Sequence, residues 1–291
     1  MYKQYNKGKR AFSRKIRKLK YNKAYLKYMS RNLLETIKQE IEKTQVLIFA
    51  GGKGKRMGFI DKPKPLIEIN GKPLLDLCIE FFKNCGYKNF ILLLGYKHQQ
   101  IIQYIENRNY QVNIKYSIDP PVKKVGRAKA LKHAIDTGIV DEKTRSITAY
   151  PDDIFLDKTL PIKLLLHHLE GVQRYKTKAT IVLTKAITYP YGAAQINENN
   201  LITDFIEKPT IKIPTATGLQ ALEPQILQQI KETININEDR VINIEQEILP
   251  KLAKQKQLYA LTIPANTWIP INTLKELEKA ISMLNSESNY N

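Results

Sequence analysis

The sequence has little cysteine, little histidine and no long apolar run, and each shortage argues against a class of protein. Two cysteines and four histidines in 291 residues make neither a disulfide framework nor the Cys/His spacing of a zinc site. The longest apolar runs, at 46–50 and 90–94, fall far short of the roughly 20 residues that span a bilayer. The basic N-terminus also lacks the apolar block of a secretory signal, so we expect a cytoplasmic protein.

Acidic residues are missing from positions 1–31, which hold eight Lys and four Arg and so carry twelve of the nineteen net positive charges. From Ser13 to Ile41, apolar residues recur at spacings of three, four or seven, which predicts a long amphipathic helix. We therefore interpret 1–43 as a basic, partly helical N-terminal extension. A solvated arm docked on the main domain or on a partner subunit is favoured, with an anionic membrane or nucleic acid as alternatives.

From residue 44 the pattern changes to alternating strands and helices, predicting one domain over 44–291. Strands are predicted at 45–50, 89–94, 113–118, 146–150, 179–185, 192–196, 201–207, 217–222 and 257–263. Helices are predicted at 73–85, 98–107, 128–137, 224–231, 244–256 and 273–284. This order indicates an α/β fold whose mainly parallel sheet has helices on both faces. Ligands of such sheets bind beyond the carboxyl ends of strands, here after Ala50 and Tyr150.

A glycine- and lysine-rich segment directly follows the first predicted strand. Gly51, Gly52 and Gly54 leave backbone N–H groups available to an anion and let phosphates approach closely. Four cations near these glycines would neutralise a triphosphate. They are Lys53, Lys55, Arg56 and Lys64.

Two other phosphate-binding motifs fit this segment poorly. A Walker A loop requires GxxxxGK[ST], which the sequence does not contain. Gly52, Gly54 and Gly58 approximate a dinucleotide loop, but that loop needs a helix to begin within the glycines, and Pro63 and Pro65 keep this chain extended. The residues therefore argue against an oxidoreductase.

Several motifs together resemble those of the nucleotide-sugar pyrophosphorylases, the sugar-phosphate nucleotidyltransferase family. The resemblance extends over about 45–284 and implies a Rossmann-like three-layer α/β/α fold with a mixed, mainly parallel sheet. It also implies the joining of a nucleoside triphosphate to a sugar 1-phosphate with release of pyrophosphate. The motifs are Gly51-Gly52-x-Gly54-x-Arg56-Met57, Pro63-Lys64-Pro65-Leu66, Asn70-Gly71-Lys72-Pro73-Leu74, Gly126-x-Ala128-x-Ala130-Leu131, Pro151-Asp152-Asp153-Ile154-Phe155, Tyr191-Gly192-Ala193, Glu207-Lys208-Pro209 and Thr217-Gly218-Leu219.

The resemblance implies roles for particular residues, four of which act directly in catalysis. Those four are Arg56 and Lys64 on the triphosphate, Asp152 as the Mg²⁺ ligand, and Lys208 on the sugar phosphate. The remaining predicted substrate-binding residues are Gly51, Gly52, Lys53, Gly54, Gly126, Asp153, Gly192, Glu207 and Gly218. By resemblance alone, UTP or dTTP with a hexose 1-phosphate is the favoured substrate pair.

One departure from the family pattern bears on catalysis. Near the C-terminus Pro270, or Asn272 in another register, stands where a second metal-binding aspartate is expected. Neither supplies a carboxylate, and a hard dication prefers charged oxygen. The alternative hypothesis is therefore a binding or regulatory module that keeps the fold and the pocket but has weakened turnover.

Overall fold

The computed structural model describes residues 34–58 and 62–288. Residues 34–43 are helical (α1), and the chain divides into two compact units after Glu42. Most of the predicted N-terminal helix lies outside the described residues. The larger unit, from Lys43 onward, contains the sheet and the glycine-rich segment.

The strands and helices of the larger unit alternate along most of its length. The strands are β1 (Gln45–Phe49), β2 (Glu68–Ile69), β3 (Lys72–Pro73), β4 (Asn89–Leu94), β5 (Asn113–Ile118), β6 (Ser146–Ala149), β7 (Asp153–Phe155), β8 (Ala179–Thr184), β9 (Ile187–Thr188), β10 (Ala193–Ile196), β11 (Ile202–Ile206), β12 (Thr210–Ile211), β13 (Thr215–Leu222), β14 (Leu258–Ile263) and β15 (Trp268–Pro270). The helices are α2 (Leu74–Lys83), α3 (His98–Glu106), α4 (Arg127–Asp136), α5 (Leu160–Tyr175), α6 (Pro224–Thr233), α7 (Ile244–Glu247), α8 (Leu249–Lys254) and α9 (Leu274–Ser288).

A mixed, mainly parallel seven-stranded sheet forms the centre, in the order β14-β8-β13-β6-β1-β4-β5. β1 pairs parallel with both β4 and β6, β4 pairs parallel with β5, and β13 is antiparallel to its two neighbours. Every residue of β1 is buried, as expected for a central strand covered on both faces. The predicted fold class is confirmed.

Two apolar clusters form the core of the larger unit, and one of them anchors the glycine-rich segment. One covers β1 and β4 with α4, α6, α7 and α8, and includes Leu47, Leu131 and Leu227. The other joins Met57, which is 2% exposed, to Ile269 on β15. Because Met57 directly follows the basic residues of the segment, its burial anchors that segment beside β15.

The sequence patterns predict no element between 150 and 179, yet α5 occupies 16 of those residues. Pro161 lies in its first turn, where a missing N–H costs nothing. Gly171 lies inside the helix, which weakens a helix prediction. It is needed for packing, since a Cβ there would lie 2.5 Å from the ring of Tyr259 and 2.8 Å from Thr177.

The single helix predicted at 244–256 is wrong, because the chain forms two helices, α7 and α8, separated at Ile248. Pro250 in the first turn of α8 lacks the N–H that would continue the first helix, and its ring would clash with a carbonyl one turn earlier.

Among the described residues, no helix combines the length and the apolar content that a membrane crossing requires.

Candidate active site

A cleft of about 410 Å³ opens at the carboxyl ends of β1, β5 and β6, where ligands bind in open α/β sheets. Seven of the residues predicted to bind the nucleotide or the metal line it. From the sequence predictions these are Gly51, Gly52, Gly54, Arg56, Lys64, Gly126 and Asp152.

The backbone of the glycine-rich segment is free to bind an anion. No described group accepts a hydrogen bond from the N–H of Gly52, Lys53 or Gly54. Gly54 has a φ of 60°, a left-handed conformation that glycine adopts without a Cβ penalty. A Cβ at Gly54 would lie 3.3 Å from the Cβ of Lys64, so this glycine lets the lysine approach the segment closely.

Lys64 and Asp152 form an ion pair inside the cleft, in which Lys64 Nζ donates to Asp152 Oδ2. The two side chains are only 15% and 27% exposed, so solvent screens this pair less than it screens a surface pair. The predicted triphosphate-binding cation and the predicted metal ligand therefore meet at one point.

Arg56 reaches the same region from the short turn at Lys55–Met57. Its Nη2 donates to Asn272 Oδ1 at 2.9 Å. Near the C-terminus, either Pro270 or Asn272 could stand in place of the expected second aspartate, and the structure favours Asn272. Pro270 pairs across the ladder with Asp153, the N–H of Ile271 donates to Asp152 O at 2.8 Å, and the side chain of Asn272 lines the cleft.

A carboxylate lies at the other end of the glycine segment. Asp119 directly follows β5 and lines the cleft. A Cβ at Gly51 would lie 3.3 Å from Asp119 Oδ2, and one at Gly95 would overlap that oxygen. Burial raises the pKa of Asp119 to about 6, with the nearby His98 acting in the opposite direction. None of the described residues donates a hydrogen bond to this carboxylate.

A second group of polar side chains borders the cleft beyond Gly126. Glu245 Oε2 accepts from Arg127 Nε at 3.1 Å and from its Nη2 at 2.9 Å, and Glu245 Oε1 accepts from the hydroxyl of Tyr150 at 3.0 Å. The guanidinium lies 5.4 Å from the centre of the Tyr150 ring. Burial opposes the charge of Arg127, but Tyr150 and Glu245 outweigh it and raise its pKa. Arg127 is thus a fixed cation at the cleft.

Asp153 points away from the cleft, although it was predicted to bind substrate. Its Oδ1 accepts from Trp268 Nε1 at 2.8 Å and its Oδ2 accepts from the N–H of Gly218 at 3.1 Å. Burial raises its pKa to about 7, and the adjacent Asp152 adds to this, against those two hydrogen bonds. Gly218 itself makes room for the Tyr150 ring, which a Cβ would overlap. Both residues support the cleft wall from behind.

The predicted sugar-binding residues lie outside the cleft, around the separate two-stranded sheet of β10 and β11. Glu207 and Lys208 are 62% and 53% exposed, with Oε1 and Nζ 3.8 Å apart. A Cβ at Gly192 would lie 3.0 Å from Glu207 Oε2. Gly192, Glu207 and Lys208 therefore lie close together, although they are outside the cleft. Lys53 is exposed and does not line the cleft.

Sequence reasoning missed several residues that line or border the cleft. Asp119 and Arg127 could have been found, because one directly follows a predicted strand and the other directly follows Gly126. Asn243 and Glu245 belong to no motif and reach the site only because α7 packs there. Asn243 Oδ1 accepts from the backbone N–H of Arg127 at 3.1 Å.

The oxygen atoms that could bind a metal at the cleft fit a magnesium ion that arrives with a nucleotide rather than an ion held permanently by the protein. In the described ranges, no group of three or more His, Cys, Asp or Glu side chains is arranged to hold a metal. The cleft instead offers the carboxylate of Asp152 and the amide oxygen of Asn272. Mg²⁺ is commonly held by one or two protein oxygens, with phosphates and waters completing its shell.

Taken together, the sheet, the free backbone amides and the facing cations define an α/β protein with a phosphate-binding cleft. The chain belongs to the nucleotidyl transferase family, whose model matches residues 45–287.

Curated relatives are mannose-1-phosphate guanylyltransferases. The catalytic subunit beta from Drosophila pseudoobscura pseudoobscura is 26% identical over 239 residues, covering 80% of this chain and 60% of that protein. The Saccharomyces cerevisiae enzyme is 29% identical over 253 residues, covering 82% and 64%. This chain thus spans about three fifths of the length of the relatives it matches.

Solved structures share the fold. A Bacillus anthracis protein provisionally named a glucose-1-phosphate thymidylyltransferase, in complex with a sucrose, superposes with a TM-score of 0.61 at 22% identity, covering 82% of this chain and 94% of that one. HddC from Yersinia pseudotuberculosis complexed with GMP-PN gives a TM-score of 0.57 at 21% identity, covering 82% and 99%.

Proposed function

We propose that this chain transfers a nucleotidyl group from a nucleoside triphosphate to a sugar 1-phosphate and releases pyrophosphate. The observation that carries the proposal is that Lys64, Arg56 and Asp152 line the same cleft as the glycine segment, whose backbone amides are free. Cations and backbone N–H groups at one point favour a polyphosphate.

The reaction requires positioning and charge neutralisation, but no protein nucleophile. An oxygen of the sugar phosphate attacks the α-phosphorus in line. The bond from that phosphorus to the bridging oxygen then breaks, and pyrophosphate leaves with the electron pair. Lys64 and Arg56 neutralise the charge on the phosphates as the bond breaks.

The Lys64–Asp152 pair responds to the substrate. Phosphate oxygens compete with Asp152 for the Lys64 ammonium, so a bound triphosphate frees a carboxylate oxygen beside the α-phosphate. Asp152 and Asn272 would hold the Mg²⁺ that accompanies the nucleotide, and that ion supplies further charge neutralisation.

For the substrate pair, GTP with mannose 1-phosphate is the first choice because of the names of the curated relatives. UTP and dTTP, which the motif resemblance favours, are the comparison nucleotides. Hexose 1-phosphates other than mannose 1-phosphate are the comparison acceptors.

The test measures pyrophosphate release with each pair in the presence of Mg²⁺. Lys64→Ala is expected to reduce kcat/KM roughly 100-fold or more, because it removes charge stabilisation at the transferred phosphate. Lys62→Ala is the matched control, since Lys62 is 62% exposed and pairs with Glu68 at 3.0 Å, and it should leave the rate nearly unchanged. No release above background with any pair would contradict the proposal.

A second candidate is a nucleotide-binding regulatory module with weakened turnover. Asn272 favours it, because the cleft has an amide beside Asp152 and Arg56 where a second carboxylate is expected. Calorimetry separates the two candidates: tight nucleotide binding without pyrophosphate release supports the module.

A further inference from the structure

Asp119 is a negatively chargeable group in a cleft whose proposed ligand is a polyanion. The phosphoryl chemistry uses Lys64, Arg56 and Asp152, and it assigns nothing to Asp119. A half-buried carboxylate repels phosphate strongly, because the surrounding dielectric constant is low. The phosphates therefore lie at the cationic end, and Asp119 faces another part of the substrate.

The geometry of the glycine segment indicates which part of the substrate faces Asp119. Gly54 lies beside Lys64 at one end, and Gly51 lies beside Asp119 at the other. Three residues span at most about 10 Å. A nucleotide whose phosphates lie at Lys64 and which follows this segment places its base at Asp119.

The bases differ in what they offer to a carboxylate, which only accepts hydrogen bonds. The Watson–Crick edge of guanine carries two adjacent donors, N1–H and the 2-amino group. Uracil and thymine place a single N3–H between two carbonyl oxygens, which a carboxylate repels. Adenine and cytosine each offer one amino group beside a ring nitrogen that is an acceptor.

We propose that Asp119 selects guanine by accepting hydrogen bonds from N1–H and the 2-amino group of GTP. This inference rests on the proposed nucleotidyl transfer and assigns its base. The glycines at 51 and 95 make room for the carboxylate itself, since a Cβ at Gly95 would overlap Asp119 Oδ2 and one at Gly51 would lie 3.3 Å from it. None of the described residues donates a hydrogen bond to Asp119, so its carboxylate has no hydrogen-bond partner among them.

The experiment compares wild-type protein with Asp119→Asn in two assays. Calorimetry measures the binding of GTP, ITP, UTP, dTTP and ATP without sugar phosphate, so that no transfer occurs. Pyrophosphate release measures kcat/KM for the same nucleotides with mannose 1-phosphate. ITP lacks only the 2-amino group, so the GTP to ITP ratio isolates that hydrogen bond.

Wild-type protein is expected to prefer GTP over UTP and dTTP, and to bind ITP roughly tenfold more weakly than GTP. Asp119→Asn should reduce the GTP to UTP ratio roughly 10- to 100-fold. It should also bring the GTP to ITP ratio close to one, since the amide has a single acceptor oxygen. The KM for the sugar phosphate should stay unchanged.

Asp136→Asn is the matched control. Asp136 is a surface carboxylate on α4 that pairs with Lys132 at 3.1 Å, and changing it should alter no ratio. A merely structural role for Asp119 would lower the melting temperature without moving the GTP to ITP ratio, and that result overturns the inference. So does a wild-type preference for UTP, dTTP or ATP, or a change confined to the KM for sugar phosphate. Absence of any pyrophosphate release would contradict the proposed function instead.

Discussion

At the scale of single residues, Asn272 is the position at which this cleft departs most from its family pattern. Its amide oxygen accepts from Arg56 at 2.9 Å, and the backbone N–H of the preceding Ile271 donates to Asp152 O. Asn272 and Asp152 therefore lie side by side, and a carboxylate at 272 would complete a pair of charged oxygens for a hard dication.

Asn272→Asp is expected to lower the Mg²⁺ concentration for half-maximal pyrophosphate release roughly tenfold, an effect in the range seen when metal-site residues are altered. Asn272→Ala is the control, and it should raise that concentration or leave it unchanged. The measurement is a magnesium titration at saturating GTP and mannose 1-phosphate. Equal midpoints for Asn272→Asp and the wild type would show that residue 272 does not contribute to the metal site.

At the scale of elements, a partly buried polar network attaches α5 to the sheet. Glu223, directly after β13, accepts from Arg145 Nε at 2.5 Å and from His168 Nε2 at 3.0 Å. The hydroxyl of Thr180 on β8 lies 2.9 Å from His168 Nδ1 and donates to it. Burial opposes ionisation of Glu223, but the hydrogen bonds from His168 and Arg145 prevail and lower its pKa to about 2. Burial lowers the pKa of His168, against its hydrogen bond with Glu223.

Both shifts make the protein less stable in acid. The unfolded chain takes up a proton at His168 below about pH 6.5, and the folded chain resists it. The contribution of Glu223 is present above its usual pKa of 4.5 and is lost as the pH falls from 4.5 towards about 2. We therefore expect the free energy of unfolding, measured in urea, to fall continuously below pH 6.5.

Glu223→Gln should lower the free energy of unfolding at pH 7 by about 2 to 3 kcal/mol, because Arg145 loses a partly buried carboxylate partner. It should also flatten the fall in stability below pH 4.5. Glu170→Gln is the control on the same helix. Glu170 is 41% exposed and pairs with Arg174, and its change should cost less than about 0.5 kcal/mol. Equal losses for the two variants would show that the network does not stabilise the helix.

Elements and site residues that depend on contiguous sequence were predictable, and those that depend on distant packing were not. The strand before Gly51 and the segment to Lys64 follow from local apolar and glycine patterns. The fixed position of Arg127 depends on Glu245, more than a hundred residues away, which no local pattern indicates. The break at Ile248 was readable in Pro250 but was masked by the helical periodicity on both sides.

At the scale of the whole molecule, charge is concentrated in one short segment. Twelve of the nineteen net positive charges lie in residues 1–31, outside the described residues, and their removal leaves a net charge of +7 for the rest. Clustered Lys and Arg release counterions when they bind a polyanion, so such binding weakens steeply with salt.

Deletion of residues 1–31 is expected to lower the salt concentration that elutes the protein from a heparin column and to flatten the salt dependence of binding to RNA or anionic vesicles. Pyrophosphate release should be unchanged, because the cleft lies within 49–272. A full-length chain and a deleted chain that elute together would remove polyanion binding as a role for this segment.

The separation of β10 and β11 from the seven-stranded sheet has an evolutionary consequence. Their exposed side chains fill no part of the two apolar clusters, so mutations there escape the stability cost that constrains the rest of the domain. The sequence of this hairpin can therefore diverge while the residues that line the cleft stay unchanged.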